Sequence, residues 1–323
     1  MKAIDHTFAE IELPDPVAAG RDLLVKVEAV SVNPVDYKQR KLGSPTPKVL
    51  GWDAAGVVQA VGPQVSLFKP GDAVYYAGDV TRPGCNSQLH LVDERIVGRK
   101  PKSLDFAQAA AIPLTAITAW EAFFDRLKIN NDDSRKTILV IGGAGGVGSI
   151  GIQLAKSAGL TVVATASRPE SIAWVKSLGA DQVLDHRRDL PPQLQALGRK
   201  HADYIACFHD LDPHWAAIGE MIAPQGGIVA IVANQKPLPM DTVRMKSATL
   251  CWELMFTRPR FQTPDMMEQH RLLNEVAARL DAGKLRGTLR ETLSPISGAN
   301  LRAAHARLES GTMIGKLVLK GWS

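Results

Sequence analysis

Cysteine is scarce in this chain of 323 residues: Cys85, Cys207 and Cys251 are the three. They lie far apart and form no Cys-x-x-Cys pair, which excludes a zinc ribbon and a disulfide framework and fits a reducing compartment. No apolar run reaches the roughly 18 residues of a membrane-spanning helix. The opening Met1-Lys-Ala-Ile-Asp5 lacks the layout of a secretory signal, so a cytoplasmic protein is expected. Aromatic residues are only 6% of the chain. The 38 Lys and Arg outnumber the 33 Asp and Glu, for a net charge of +5 and a pI of about 9.1. The basic residues are spread along the chain rather than bunched, so nucleic-acid binding is not expected. Hydrophobic residues at 45% and charged residues at 22% are ordinary globular values.

What the chain does have is Ile138-Leu-Val-Ile-Gly-Gly-Ala-Gly-Gly-Val-Gly148. Four apolar residues read as a buried parallel strand, followed by Gly143-x-Gly145-x-x-Gly148. An apolar helical run, Ile150-Gly-Ile-Gln-Leu-Ala-Lys156, and a second strand, Thr161-Val-Val-Ala-Thr165, come next. In that βαβ context the glycines serve a tight turn, close backbone approach to a pyrophosphate, and close helix–strand packing. Phosphates would rest on the free N–H groups opening the helix. Gly143, Gly145, Gly146, Val147 and Gly148 are therefore the expected dinucleotide contacts; a glycine-rich turn without a ligand is the plain alternative.

A second absence bears on which dinucleotide binds. An NAD site has Asp or Glu about 20 residues on, bonded to the ribose 2′-hydroxyl. Here the second strand ends Thr165-Ala-Ser-Arg-Pro169, with no acid at its tip. Ser167 can donate a hydrogen bond and Arg168 can grip a phosphate in a bidentate way. The site looks built for the 2′-phosphate of NADP(H). His186-Arg187-Arg188, after an expected strand Gln182–Asp185, could add positive charge; for each arginine the alternative is a solvated surface residue.

Residues 1 to about 112 carry short β-like runs (Leu23–Val27, Ala55–Val58, Ala73–Tyr76) separated by Gly and Pro turns, which predicts a compact, mostly β domain. The pattern then alternates strands and helices, with further strands at Tyr204–Ala206, Gly227–Val232 and Ala248–Cys251. That predicts a doubly wound parallel sheet. An amphipathic helix is expected from Met266 to about Ala282, and the tail ends in a strand-like Gly315-Lys-Leu-Val-Leu-Lys320. The expected division is residues 1–115, a dinucleotide-binding domain at 116–283, and a return segment at 284–323.

In these pieces the chain resembles the medium-chain dehydrogenase/reductase superfamily, its quinone oxidoreductase (zeta-crystallin-like) branch, and a subgroup called zinc-type alcohol dehydrogenase-like proteins. Besides the glycine loop, the resemblance rests on Val30-Ser-Val-Asn-Pro-Val-Asp36, Val49-Leu-Gly-Trp-Asp-Ala-Ala-Gly56, Phe68-Lys-Pro-Gly-Asp72, Leu114-Thr-Ala-Ile-Thr-Ala-Trp120 and Ile314-Gly-Lys-Leu-Val318. It implies an α/β protein: a Rossmann domain plus a GroES-like, mostly β catalytic domain built from both ends of the chain.

Zinc members of this superfamily hold their metal with a Cys, a His and a later Cys. Asn33 stands where the first Cys would be, Gly51-Trp52-Asp53 replaces Gly-His-Glu, and the region around Thr115 offers no third ligand. An amide, an indole and a hydroxyl do not replace soft ligands on zinc. No metal is expected, and alcohol oxidation loses its Lewis acid. The resemblance then implies hydride transfer from NADPH to a quinone or an α,β-unsaturated carbonyl, with a few donors stabilising the enolate-like oxygen.

Asn33, Asp36 and Lys38 are the catalytic candidates. Asn33 could donate its amide N–H to the substrate oxygen, or simply make the turn before Pro34. Asp36 would anchor a loop or orient a neighbour, with a direct acid–base role as the alternative, and Lys38 could reach ribose hydroxyls or the acceptor oxygen, or be a solvated lysine. Thr118 matches a position near the nicotinamide, and Lys316 looks like a C-terminal lysine close to the cofactor. Trp52 would pack a wall, Cys207 would be buried and inert, and His209 and His214 would be surface residues within reach of the adenine. The apolar Leu250-Cys-Trp252 would be an edge strand pairing two subunits of a homodimer. The competing readings are an NADPH-binding sensor or structural protein with little turnover, and a zinc alcohol dehydrogenase.

Overall fold

The computed structural model describes residues 1–322, the side chain of Asn131 excepted. The chain divides into two compact units, Met1–Ile117 with Met255–Ser323, and Thr118–Leu254. The first boundary falls near the expected 115. The second differs: the dinucleotide-binding unit stops at Leu254 rather than at 283. The amphipathic helix, Glu268–Asp281, belongs to the first unit. Its Leu272, Leu273, Val276 and Leu280 are buried, and the Tyr75 hydroxyl donates to the Leu273 carbonyl at 2.5 Å. A Cβ on Gly98 would come within 2.6 Å of Leu273 Cβ, so only glycine lets this helix approach the strand. An apolar stripe shows that a helix buries one face but not which sheet receives it.

The Thr118–Leu254 unit holds a six-stranded sheet in the order Gln182–Leu184, Thr161–Thr165, Thr137–Ile141, Ala202–Cys207, Ile222–Ala230, Thr249–Trp252. Every neighbouring pair is parallel. Thr137–Ile141 is buried at all five positions, as a strand covered on both faces should be. The strand order reverses around Thr137–Ile141, the switch point of a Rossmann sheet, where ligands bind beyond the strands' carboxyl ends. The expected strand at Gly227 starts earlier, at Ile222, with a register shift against Ala202–Cys207 and Gln225 held at φ 62.

The other unit is the mostly β one. Its sheet runs Leu289–Leu293, Lys316–Lys320, Asp22–Ser31, Ala54–Val61, Ala73–Tyr76, Val97–Arg99, and Leu89–Asp93 also pairs with Asp22–Ser31. Only Leu289–Leu293 with Lys316–Lys320 is parallel. The central Asp22–Ser31 strand alternates, burying Leu23, Val25 and Val27 in a core that also takes Val58, Val74, Ile96, Leu317 and Leu319. The tail thus completes this unit, as the resemblance implied. Val318 pairs with Ser31, which brings Lys316 beside Val32 and Asn33. Among the described residues, no helix is long and apolar enough to cross a membrane.

Candidate functional site

In the mostly β unit, the helix Pro34–Leu42 opens with Asn33 as its N-cap, φ −136 and ψ 157, and Pro34 in its first turn. Asp36, at the third helical position, accepts the Asn33 backbone N–H through Oδ2 at 2.8 Å, the carboxylate half of a capping box. The Asn33 side chain turns inward instead. Its Nδ2 donates to the Trp52 carbonyl and to Asp53 Oδ2, each at 2.9 Å. Its Oδ1 accepts from Lys316 Nζ at 2.5 Å. The same ammonium reaches the Val32 carbonyl at 2.9 Å and Asp53 Oδ2 at 3.1 Å. Asp53 Oδ1 accepts the Leu114 N–H at 2.8 Å, placing a negative charge at the start of the helix Pro113–Trp120.

All four side chains are buried, Lys316 to 3% exposure and Asp53 to 0%. Burial pushes the Asp36 carboxyl up to about 7; the Asn33 N–H and the Lys316 charge pull against it, and the Asp53 charge adds to it. Asp36 Oδ1 has no hydrogen-bond partner. Trp52 packs edge-on to Phe256 with ring centres 6.3 Å apart, and its indole N–H donates to the Asp79 carbonyl at 3.2 Å. It is buried among these contacts.

Two of the expected site residues meet here. The Asn33 Nδ2 hydrogens have acceptors inside the protein, so the amide clamps this cluster. Lys316, expected at the cofactor, is spent on Asn33 and Asp53. Lys38 is exposed on the same helix as Asp36 and stays outside the cluster. Asp53 is the residue that sequence reasoning passed over. Its signal was there: an acid within Trp-Asp-Ala-Ala, like a lysine within Gly-Lys-Leu-Val, needs a partner once its apolar neighbours are buried.

In the Rossmann unit, the helix Gly146–Ser157 is N-capped by Gly145 with no side-chain cap, so its first N–H groups point outward as an anion site. The tight turn falls on Gly142, at φ 83. A Cβ on Gly148 would stand 2.3 Å from the Gly142 carbonyl oxygen, and one on Gly143 would stand 2.9 Å from Ala164 Cβ. At Gly145 the only atom met is the Gly142 oxygen, at 3.5 Å. Gly143 and Gly148 therefore serve packing, and Gly145 leaves open the space a pyrophosphate needs. This cradle fits a dinucleotide.

At the neighbouring strand tip, the Arg168 N–H donates to Ser171 Oγ at 3.1 Å, opening the helix Pro169–Ser177, and its side chain is exposed. Arg187 Nη2 donates to the Ser167 carbonyl and to Asp185 Oδ2, each at 2.8 Å. Arg187 thus ties one loop to the next. Thr118 is buried. Cys207 is buried against the His209 and Asp210 carbonyls, and burial pushes its thiol up to about 12, which makes it inert as expected.

Comparison with known proteins adds the following. Residues 19–102 match the model of the alcohol dehydrogenase GroES-like domain, and residues 178–319 that of the zinc-binding dehydrogenases. A zinc-type alcohol dehydrogenase-like protein of Staphylococcus aureus (strain MRSA252) is 43% identical over 318 residues, 97% of this chain and 95% of its own. A 2-methylene-furan-3-one reductase of Solanum lycopersicum is 43% identical over 214 residues, 60% of this chain and 53% of its own. A crystal structure from Rhizobium etli CFN 42, named as a candidate zinc-dependent alcohol dehydrogenase, superimposes with a TM-score of 0.97 at 53% identity, over 100% of this chain and 98% of that one.

Several of those names imply zinc, and the donor set does not fit it. Among the described residues, no group of three or more His, Cys, Asp or Glu is placed to hold a metal. Where the resemblance puts ligands stand Asn33 and Trp52, with the Lys316 ammonium already seated on Asn33 Oδ1 and Asp53 Oδ2. A fixed cation there repels a second one. Cys85 lies 3.5 Å from the Asp53 carbonyl, and one thiol does not supply the three protein ligands that a catalytic zinc needs.

Proposed function

The chain belongs to the medium-chain dehydrogenase/reductase superfamily and is an oxidoreductase; on that premise we propose that it is zinc-independent and uses NADPH to reduce a quinone or an α,β-unsaturated carbonyl. The observation that carries this reading is the Lys316 ammonium bonded to Asn33 and Asp53 where a metal-using relative would need ligands. A conjugated acceptor suits such a site, because the incoming charge spreads onto a carbonyl oxygen and needs hydrogen-bond donors rather than a Lewis acid. The similarity to a 2-methylene-furan-3-one reductase supports the same substrate class.

When bound, NADPH supplies the hydride. The chain's own residues bind and orient. Gly145, Gly146, Val147 and Gly148 hold the pyrophosphate on backbone N–H groups. Ser167 and Arg168 take the 2′-phosphate, with Thr118 toward the nicotinamide end. Asn33, Asp36, Asp53 and Lys316 fix the backbone around residues 32–33, 52–53 and 114. Lys38 offers its exposed ammonium to the acceptor oxygen. The partners are a small-molecule acceptor and a second copy of the chain, joined at the edge strand Thr249–Trp252.

The test is loss of NADPH absorbance, and separately of NADH, against a small quinone, a short enal and a simple aldehyde, with zinc measured in the same sample. Fast NADPH loss with quinone or enal in zinc-free protein supports the reading. Tight NADPH binding without turnover would indicate a sensor, and aldehyde reduction with one bound zinc would indicate an alcohol dehydrogenase.

A further inference from the structure

The Rossmann sheet divides at Thr137–Ile141, the strand that leads into the glycine loop. In a sheet of this kind the tip of the second strand reads the adenine-side ribose, so the other mononucleotide half falls to the strands on the opposite side. Here those are Ala202–Cys207, Ile222–Ala230 and Thr249–Trp252. The outermost of them lies three strand spacings, about 14 Å, from Thr137–Ile141.

The residue that leaves that outermost strand is Glu253. Its N–H donates to the Ala230 carbonyl at 2.9 Å, which fixes it beside the end of the neighbouring strand. Its side chain shares a face with Cys251, since alternate residues of a strand point the same way, and the Cys251 thiol lies 3.8 Å from the Arg126 carbonyl on that face. Arg126 Nε donates to Glu253 Oε2 at 2.8 Å. Arg126 ends the π-helical turn Glu121–Arg126. That turn packs beside the helix Gly146–Ser157: a Cβ on Gly151 would meet Phe123 Cζ at 3.3 Å. Glu253 is 2% exposed, yet its Oε1 has no hydrogen-bond partner. A buried carboxylate oxygen without a donor costs free energy, and a group left so in a native fold calls for a donor from outside the chain.

We infer that Glu253 is a cofactor-binding residue: its Oε1 accepts a hydrogen bond from the carboxamide NH2 of the nicotinamide, and Arg126 holds the carboxylate by Oε2. This rests on the NADPH reading above and deepens it. The nicotinamide half carries two kinds of donor, ribose hydroxyls and the carboxamide. The hydroxyls stand nearer the pyrophosphate and so nearer the glycine loop. The carboxamide is the donor at the far end, and Glu253 follows the strand farthest from that loop on this side of the sheet. A charged acceptor makes the bond stronger than a neutral one would. Holding the carboxamide sets the rotation of the ring about its bond to the ribose, and with it the ring face that gives the hydride.

The experiment is calorimetric titration of the full chain with NADP+, with its thionicotinamide analogue, which keeps the NH2, and with its 3-acetylpyridine analogue, in which a methyl replaces it. Wild type, Glu253→Met and Glu253→Gln are compared. Arg126 is 34% exposed, so its guanidinium stays hydrated when its partner is removed and both variants should fold. Unchanged affinity for adenosine 2′,5′-bisphosphate, which has no nicotinamide half, checks that. Expected in wild type is binding of the acetylpyridine analogue about tenfold weaker than NADP+, with the thionicotinamide analogue close to NADP+. The preference should vanish in Glu253→Met, and Glu253→Gln, which keeps an uncharged acceptor, should retain part of it. A preference as large in Glu253→Met as in wild type, or none in wild type, overturns the role of Glu253 and leaves the NADPH reading standing. If Glu253→Met loses bisphosphate binding, Glu253→Gln decides, and an undiminished preference there overturns the role. No binding of NADP+ or of the bisphosphate to wild type overturns both.

Discussion

Lys316 Nζ lies 2.5 Å from Asn33 Oδ1 across 283 residues of sequence, and one buried ammonium thereby closes the amide of a helix cap and the carboxylate of Asp53 into a single cluster. Removing one partner of such a pair leaves an uncompensated buried charge. Lys316→Met should cost about 3–5 kcal/mol of stability, read by denaturant unfolding at neutral pH. The loss should shrink at acid pH, where Asp53 can take a proton. Because all three acceptors lie in the mostly β unit, NADPH affinity should not change; a parallel loss of NADPH affinity would return Lys316 to the cofactor.

Gly145→Ala and Gly148→Ala should separate binding from folding. The Gly145 Cβ meets only the Gly142 oxygen, at 3.5 Å, whereas the Gly148 Cβ would overlap it at 2.3 Å. Gly145→Ala should keep the melting temperature and lose dinucleotide affinity. Gly148→Ala should lower both. Thermal melts with and without NADPH test the contrast.

Arg168→Ala should weaken NADPH roughly tenfold or more while leaving NADH nearly unchanged, since a charge-assisted bond to the 2′-phosphate is worth about 1.5–3 kcal/mol. Equal losses for both cofactors would remove Arg168 from the phosphate.

Two buried groups should make opposing contributions to stability over the same pH range. The folded chain keeps a proton on Asp36 up to about 7, against an ordinary 3.8. That contribution is complete below 3.8 and is lost as pH rises toward 7. His90 runs the other way. It is buried between the Tyr76 hydroxyl and the Pro83 carbonyl, each at 3.0 Å, and burial lowers it from 6.5 to about 4. Stability is therefore lost as pH falls from 6.5 toward 4, because only the unfolded imidazole takes the proton. Because the two windows overlap, each variant should uncover the other group's slope: denaturant midpoints should rise from about pH 4 to 6.5 in Asp36→Asn and fall from about pH 3.8 to 7 in His90→Gln.

Trp252 is 45% exposed on the outermost strand of the Rossmann sheet, and an unpaired edge invites a second strand. Trp252→Glu should convert a dimer into a monomer in light scattering. A wild-type monomer would dispose of the pairing.

Local patterns were legible in the sequence. The strand Thr161–Thr165 occupies its expected residues, and the glycine loop opens a helix as its spacing required. Such features depend on neighbours within a few residues. The helix Glu268–Asp281 was also legible as a helix, but its place against Gly98 and Tyr75 was not, because an apolar stripe is equally satisfied by any apolar sheet face.

The chain's residue types alone determined the Rossmann unit, the missing acid at the second strand's tip and the missing zinc ligands, since each is a matter of which chemical group stands at which spacing. Tertiary structure alone decided what Asn33, Asp53 and Lys316 do. Buried charges must find partners wherever the fold brings them. Here that place is set by Val318 pairing with Ser31, a register that no local stretch of sequence encodes.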